Sequence, residues 1–261
     1  MRRQPVPIVV LVLGTVGIAF FFLPLLGLIL RAPWNDAIRS LTEADTLDAL
    51  KLSLLASLSA TAMALFLGVP LAWIYARLDF PGRSVLRALT TLPMVLPPVV
   101  GGIALLLAFG RRGIIGGWLA SSFGITFPFT TAGVVMAETF VAMPFLVLTV
   151  EAGLRSMDRR YEDAARTLGA NRWRTFTHVT VPLIAPSLLA GAVLCWARAL
   201  GEFGATITFA GNFPGVTQTM PLAVYLLLET NQEASFILSL LMLLISLAVL
   251  VGLRHRWLGS A

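Results

Sequence analysis

Four charged side chains sit inside long apolar runs: Glu138, Glu151, Arg198 and Glu202. A charge at the bilayer centre costs about 2.5–3.5 kcal/mol on insertion scales, so such residues face a bundle interior and take a partner. Arg198 and Glu202 are four residues apart, neighbours on one helix face, and can pair. Two roles suit them: an ion pair that fixes helix packing, or a guanidinium beside the path of an anion. Glu151 reads as an interfacial group near a cytoplasmic helix end. Around the pair the chain runs Arg198-Ala-Leu-Gly201-Glu202-Phe-Gly204-Ala-Thr206-Ile-Thr208. Gly201 and Gly204 permit close helix approach. Thr206 and Thr208 can offer hydroxyls to an oxyanion or bond their own backbone. Arg198, Gly201, Glu202, Gly204, Thr206 and Thr208 are therefore the candidate translocation-pathway residues.

Bond-making chemistry has little to work with. One cysteine, Cys195, excludes an internal disulfide and a cysteine metal cluster, and His178 and His255 make a poor histidine metal site. The only lysine, Lys51, follows Ala49-Leu50 rather than a glycine-rich loop. A P-loop needs Gly-Lys-Ser/Thr to cradle phosphates, so no metal, nucleotide or other cofactor is expected in this chain.

The other distinctive stretch is polar and runs from Glu162 to Pro186. It reads as two short helices with a hinge. Asp158 suits an N-cap, and Glu162 and Asp163 place negative charge in the first turn, where the helix dipole favours it. Ala164 and Ala165 make a smooth face that a partner can approach. Gly169 stands where a helix ends in the left-handed conformation. Asn171 can cap the second helix, and Pro182 leads back toward the bilayer.

Hydrophobic residues make up 57% of the chain and charged ones 12%, with mean hydropathy +0.87. Soluble domains carry about twice that charged fraction. The expected class is an all-α polytopic membrane protein. A span needs about 20 mostly apolar residues, and six stretches qualify: Ile8–Leu30, Leu52–Tyr75, Val85–Phe109, Thr131–Leu154, Ala185–Phe209 and Phe236–Leu253. The first follows Arg2 and Arg3 but is longer than a signal-peptide core, so it is read as a retained span. Pro93, Pro97, Pro98, Gly101 and Gly102 interrupt the third. No segment between spans is long enough for a soluble domain, so one transmembrane domain, 1–261, is expected.

Loop charge orients the chain. With the N-terminus cytoplasmic, the inside carries Arg2, Arg3, Arg77, Arg83, Arg87, Arg155, Arg159, Arg160, Arg166, Arg172, Arg174, Arg254 and Arg256. The outside carries only Arg31, Arg39, Lys51, Arg111 and Arg112. Such asymmetry puts both termini in the cytoplasm and Gly211–Glu233 outside. It also accounts for the net charge of +6 without nucleic acid as a partner.

Asp163-Ala164-Ala165, Gly169, Val179 and Val181-Pro182 resemble the cytoplasmic "EAA" loop of ABC-importer permeases: Glu-Ala-Ala, three residues, Gly, nine residues, Ile, one residue, Leu-Pro. Asp163 stands for the Glu, Val179 for the Ile and Val181 for the Leu. The stretch Ala199 to Thr206 (ALGEFGAT) is similar to the sulfate/molybdate branch, and Gly211 to Tyr225 (GNFPGVTQTMPLAVY) to molybdate and tungstate permeases. Leu92 to Pro98 and Ala108 to Gly113 match the same group. The resemblance runs from about Leu50 to Arg256. It implies six membrane helices and a coupling helix within 155–182, between the fourth and fifth. Glu162, Asp163, Ala164, Ala165 and Gly169 would couple the chain to a separate ATPase. It further implies a homodimer of this chain in the cytoplasmic membrane, two ATPase copies carrying ATP and Mg, and an external molybdate-binding protein. Sulfate and tungstate permeases are the near alternatives. An ion-coupled secondary anion transporter would leave the Asp163 loop unexplained, and an intramembrane enzyme would lack a nucleophile or metal set.

Overall fold

The computed structural model describes residues 7–257. Arg2 and Arg3, two of the arginines assigned to the inner side, fall outside them. Every regular element among the described residues is helical. Four helices are long and apolar enough to cross a membrane: α1 (Ile8–Arg31), α3 (Ala44–Arg77), α7 (Thr131–Ser156) and the apolar part of α14 (Gln232–Trp257). Two bent pairs raise the number to six if each is one span.

The bundle is organised on α3 and α7. Along α3, Ala56, Ala60, Ala64, Gly68 and Ala72 recur every fourth residue and are all buried. That spacing makes one stripe of small side chains, so a neighbouring backbone can come close. At Gly68 an added Cβ would lie 2.9 Å from a methyl of Leu146 and 3.1 Å from one of Val147. Leu146, Val147, Val150 and Leu154 of α7 fill the core there with Tyr75 and Cys195. Trp196 of α11 (Ala185–Leu200) donates its indole N–H to Ser57 Oγ at 2.9 Å, joining a third helix to the pair. With 34 residues, α3 is about 51 Å long at 1.5 Å per residue. It therefore outruns the roughly 30 Å hydrocarbon layer, extending the expected span Leu52–Tyr75 mainly at its N-terminal end.

α1 buries no side chain and touches the bundle at α14. Such an all-apolar, outward-facing helix is stable only in lipid or against another protein. A short helix α2 (Ala37–Thr42) connects it to α3.

Two expected spans are broken. Val85–Phe109 forms α4 (Arg83–Thr91), a 3-10 turn at Leu92–Met94, and α5 (Pro98–Phe109), bent by 117°. Pro97 and Pro98 cause the break: each removes an N–H, and each keeps its predecessor out of the α region. Ala185–Phe209 likewise ends as α11 at Leu200 and restarts as α12 (Gly204–Phe209) after Gly201-Glu202-Phe203. Between α5 and α7 lies α6 (Gly116–Phe123). The stretch Gly211–Glu233 is not an open loop, because Met220–Thr230 is a helix, α13. Before it, Thr217, Gln218 and Thr219 are buried, and Ser53 Oγ accepts the Met220 N–H at 2.7 Å.

Candidate functional site: the polar loop and the broken helices

The polar loop follows α7 through α8 (Arg160–Thr167), α9 (Arg172–Thr175), a π turn at Phe176–Thr180 and α10 (Val181–Leu183). Asp158 Oδ1 accepts the Arg160 N–H at 3.0 Å, filling one of the unpaired donors at the start of α8. At the other end Gly169 has φ +87°. There the Gly169 N–H reaches Arg166 O and the Ala170 N–H reaches Ala165 O, both at 3.0 Å. This pair of bonds closes a helix through a left-handed residue. Asn171 Oδ1 then accepts the Arg174 N–H at 2.8 Å and starts α9.

The sequence-selected residues divide between two faces. Asp163 and Ala164 are exposed and Ala165 is half-buried. Asp163 meets Arg166 at 3.2 Å on the surface. Glu162 turns the other way and is buried. Its Oε1 accepts from Thr180 Oγ1 at 2.8 Å and lies 3.3 Å from Arg77 Nη2. Glu162 thus binds α8 to the end of α3 and to the returning limb of the loop. Two apolar residues that sequence reasoning passed over share the outer face: Tyr161 is 57% exposed and Leu168 88%. With Ala164 and Ala165 they follow i, i+3/i+4, i+7 spacing, so α8 offers a narrow apolar stripe outward.

Arginines hold the loop to the bundle. Arg155 donates to Tyr75 O at 3.2 Å and Arg159 to Ala76 O at 3.3 Å, both last-turn carbonyls of α3. Cations are favoured at that end of a helix dipole. Glu151, near the end of α7, is buried, 1% exposed. Its carboxylate lies 2.8 Å from Arg155 and 3.0 Å from Arg87 of α4, so it clamps the broken third segment to α7. Its distant partner, Arg87, gives no local sequence signal.

At the second broken segment Arg198 Nη2 and Glu202 Oε2 are 2.7 Å apart. Glu202 also accepts the Ala205 N–H through Oε1 at 2.8 Å, so one buried carboxylate spans the break and caps α12. Gly204 and Gly102 let α12 settle on α5. A Cβ on Gly204 would lie 2.8 Å from Pro98 Cβ, and one on Gly102 2.6 Å from Thr208 Cβ. Gly201 has no such neighbour; the nearest atom to an added Cβ is Ala197 O at 3.7 Å. Thr208 Oγ1 bonds its own helix at Gly204 O, 2.8 Å away, whereas Thr206 is fully buried and its hydroxyl has no partner among the described residues. Glu138 of α7 is buried with Oε2 unpartnered among the described residues.

Comparison with known proteins adds the following. The family model for the binding-protein-dependent transport system inner membrane component matches residues 64–258. The molybdenum transport system permease protein ModB of Mycobacterium bovis is 45% identical, over 92% of this chain and 90% of its own. The sulfate transport system permease protein CysT of Escherichia coli is 36% identical, over 89% and 85%. Among solved structures, a chain of a bacterial ABC transporter that imports the acidic polysaccharide alginate superposes with TM-score 0.74. It shares 17% identity, and the match covers 95% of this chain and 94% of that one.

Proposed function

Because this chain belongs to the family of binding-protein-dependent transport system inner membrane components, we propose that it is the permease subunit of an ABC importer for molybdate. The observation that carries the choice of substrate is the higher identity to a molybdenum permease, 45%, than to a sulfate permease, 36%. The architecture agrees: an all-helical bundle with a capped polar loop on one side and two broken helices packed together within it. Breaks of this kind persist in a bilayer only where protein or a water-filled cavity satisfies the freed backbone.

The permease performs no bond chemistry. A separate ATPase, in two copies, binds ATP and Mg, and an external binding protein delivers the anion to a homodimer of this chain. The outer stripe of α8, with Asp163, Ala164 and Ala165, docks on the ATPase. The Gly169 turn sets its angle. Closure of the ATPase pair moves this loop as a rigid body, and the bundle passes between inward- and outward-facing states. Glu162 belongs to the same unit by tying the loop to α3, so the motion reaches the bundle. Arg198, Gly201, Glu202, Gly204, Thr206 and Thr208 border the pathway at the broken fifth segment. The Arg198–Glu202 bond and the Thr208 backbone bond support a shaping role for them rather than a ring of free donors.

Reconstitution tests the reading. Liposomes holding the permease, the ATPase and molybdate-loaded binding protein should take up molybdate only with internal ATP, and the permease alone should hydrolyse none. Uptake without the ATPase would point to an ion-coupled transporter, and preference for sulfate over molybdate would move the substrate.

The membrane orientation we propose has cytoplasmic termini, six crossings and Val216 outside. Val216 is a suitable reporter, being 46% exposed where its neighbour Thr217 is buried. In a Cys195→Ser background, Val216→Cys should react with an impermeant thiol reagent added to intact cells. Reaction only after lysis would invert the topology.

A further inference from the structure

A cavity of about 740 Å³ opens between the end of α3 and the polar loop. Arg77, Arg159, Arg166 and Arg172 reach its wall, against only two carboxylates, Glu162 and Asp163. Both carboxylates are engaged, Glu162 with Arg77 and Thr180, Asp163 with Arg166. Arg159 and Arg172 form no ion pair among the described residues. Arg77, its side chain 7% exposed, is balanced by Glu162 at 3.3 Å, so the uncompensated positive charge at the chamber wall is that of Arg159 and Arg172.

A second recess, about 510 Å³ and apolar, shares Trp73, Arg172 and Phe176 with the first. It continues along Pro70, Ile74 and Trp173. A basic chamber bordered by an apolar groove, with three residues common to both walls, matches an amphiphile with an anionic head. A tetrahedral inorganic anion would fill a small part of the chamber and leave the groove empty. Trp73 and Trp173 also belong to a residue type that concentrates where membrane meets water, and basic pockets on the cytoplasmic side of membrane helices take acidic lipid headgroups.

We propose that this double cavity seats one anionic phospholipid of the inner leaflet. The phosphate sits in the basic chamber beside Arg159 and Arg172, and an acyl chain lies along Pro70, Ile74 and Trp173. The lipid then touches both α3 and the polar loop. Lipid composition becomes a means of stiffening the element proposed above to carry force from the ATPase.

The test is lipid retention by the full-length chain, purified in detergent with phosphatidylglycerol or phosphatidylcholine and read by native mass spectrometry. One phosphatidylglycerol should stay bound, with phosphatidylcholine lost. Arg172→Gln should weaken retention about fivefold, the effect of one basic group beside an acidic headgroup, and Arg172→Lys should restore most of it. Trp173→Ala should weaken it too. Arg172 and Trp173 are exposed, so these variants fold, which a thermal melt verifies. Equal retention of both lipids, or an unchanged Arg172→Gln, would overturn the proposal. Displacement by excess inorganic phosphate would make the chamber a small-anion site and overturn it as well. Retention is measured without transport, so the result is independent of the importer reading.

Discussion

Replacing Gly169 with valine should abolish molybdate uptake while leaving the permease folded in the membrane. The backbone at Gly169 has φ +87°, a region open to glycine and costly by about 1–2 kcal/mol for other residues. A β-branched side chain is the worst case. No atom lies within 4 Å of an added Cβ, so the penalty is one of backbone conformation, not of collision. The loop escapes it by leaving the left-handed conformation, which breaks the Gly169–Arg166 and Ala170–Ala165 bonds. α8 then lengthens or frays, and Leu168, Ala164 and Asp163 point elsewhere. The core on α3 and α7 is remote from this turn and should survive. Three quantities separate the possibilities: membrane level of the permease, co-purification of the ATPase, and stimulation of ATP hydrolysis by loaded binding protein. The first should remain near wild type and at least one of the others collapse. Gly169→Asn, which tolerates the left-handed region better, should keep part of the coupling. Were all three quantities to survive in the valine variant while uptake vanished, the defect would lie in the pathway and not in the loop.

That turn was readable in the sequence because its physics is local. Asp158, Gly169 and Asn171 act on backbone groups two to five residues away, and their spacing alone marks where α8 begins and ends. The proline break before α5 was readable for the same reason. The break at Gly201-Glu202-Phe203 was not: it contains no proline, and an Arg198–Glu202 pair suits an unbroken helix equally well. Its cause is tertiary, the seating of α12 on α5 through Gly204 and Gly102, with Glu202 as cap. Glu162 shows the same limit. Its sequence position suggests a surface carboxylate beside Asp163, yet its partner Arg77 lies 85 residues earlier, and that contact turns it inward. The contact of Glu151 with Arg87 is long-range in the same way and leaves no mark in the local sequence.

Glu202→Ala should destabilise the permease by about 3 kcal/mol, the lower part of the range for breaking a buried ion pair. Two losses combine. Arg198, 28% exposed, keeps a charge with no carboxylate at 2.7 Å, and the Ala205 N–H loses its acceptor at the start of α12. The lower part of the range applies because Arg198 retains some access to water. In Arg198→Ala/Glu202→Ala the stranded charge is gone and only the uncapped N–H remains, a penalty of about 1–3 kcal/mol. The double variant should therefore melt above Glu202→Ala in detergent. Glu202→Gln keeps an acceptor for Ala205 and a carbonyl for Arg198, so it should melt highest of the three. Melting of wild type, Arg198→Ala, Glu202→Ala and the double variant, followed by fluorescence-detected size exclusion, gives the coupling between the two sites. If the single and double variants melt together, the pair contributes nothing as a pair, and Arg198 regains its standing as a cation available to the anion. If the double variant is the more stable but transports poorly, the pair shapes the pathway through the α12 break, and the loss should appear in the rate of uptake rather than in the amount of folded protein.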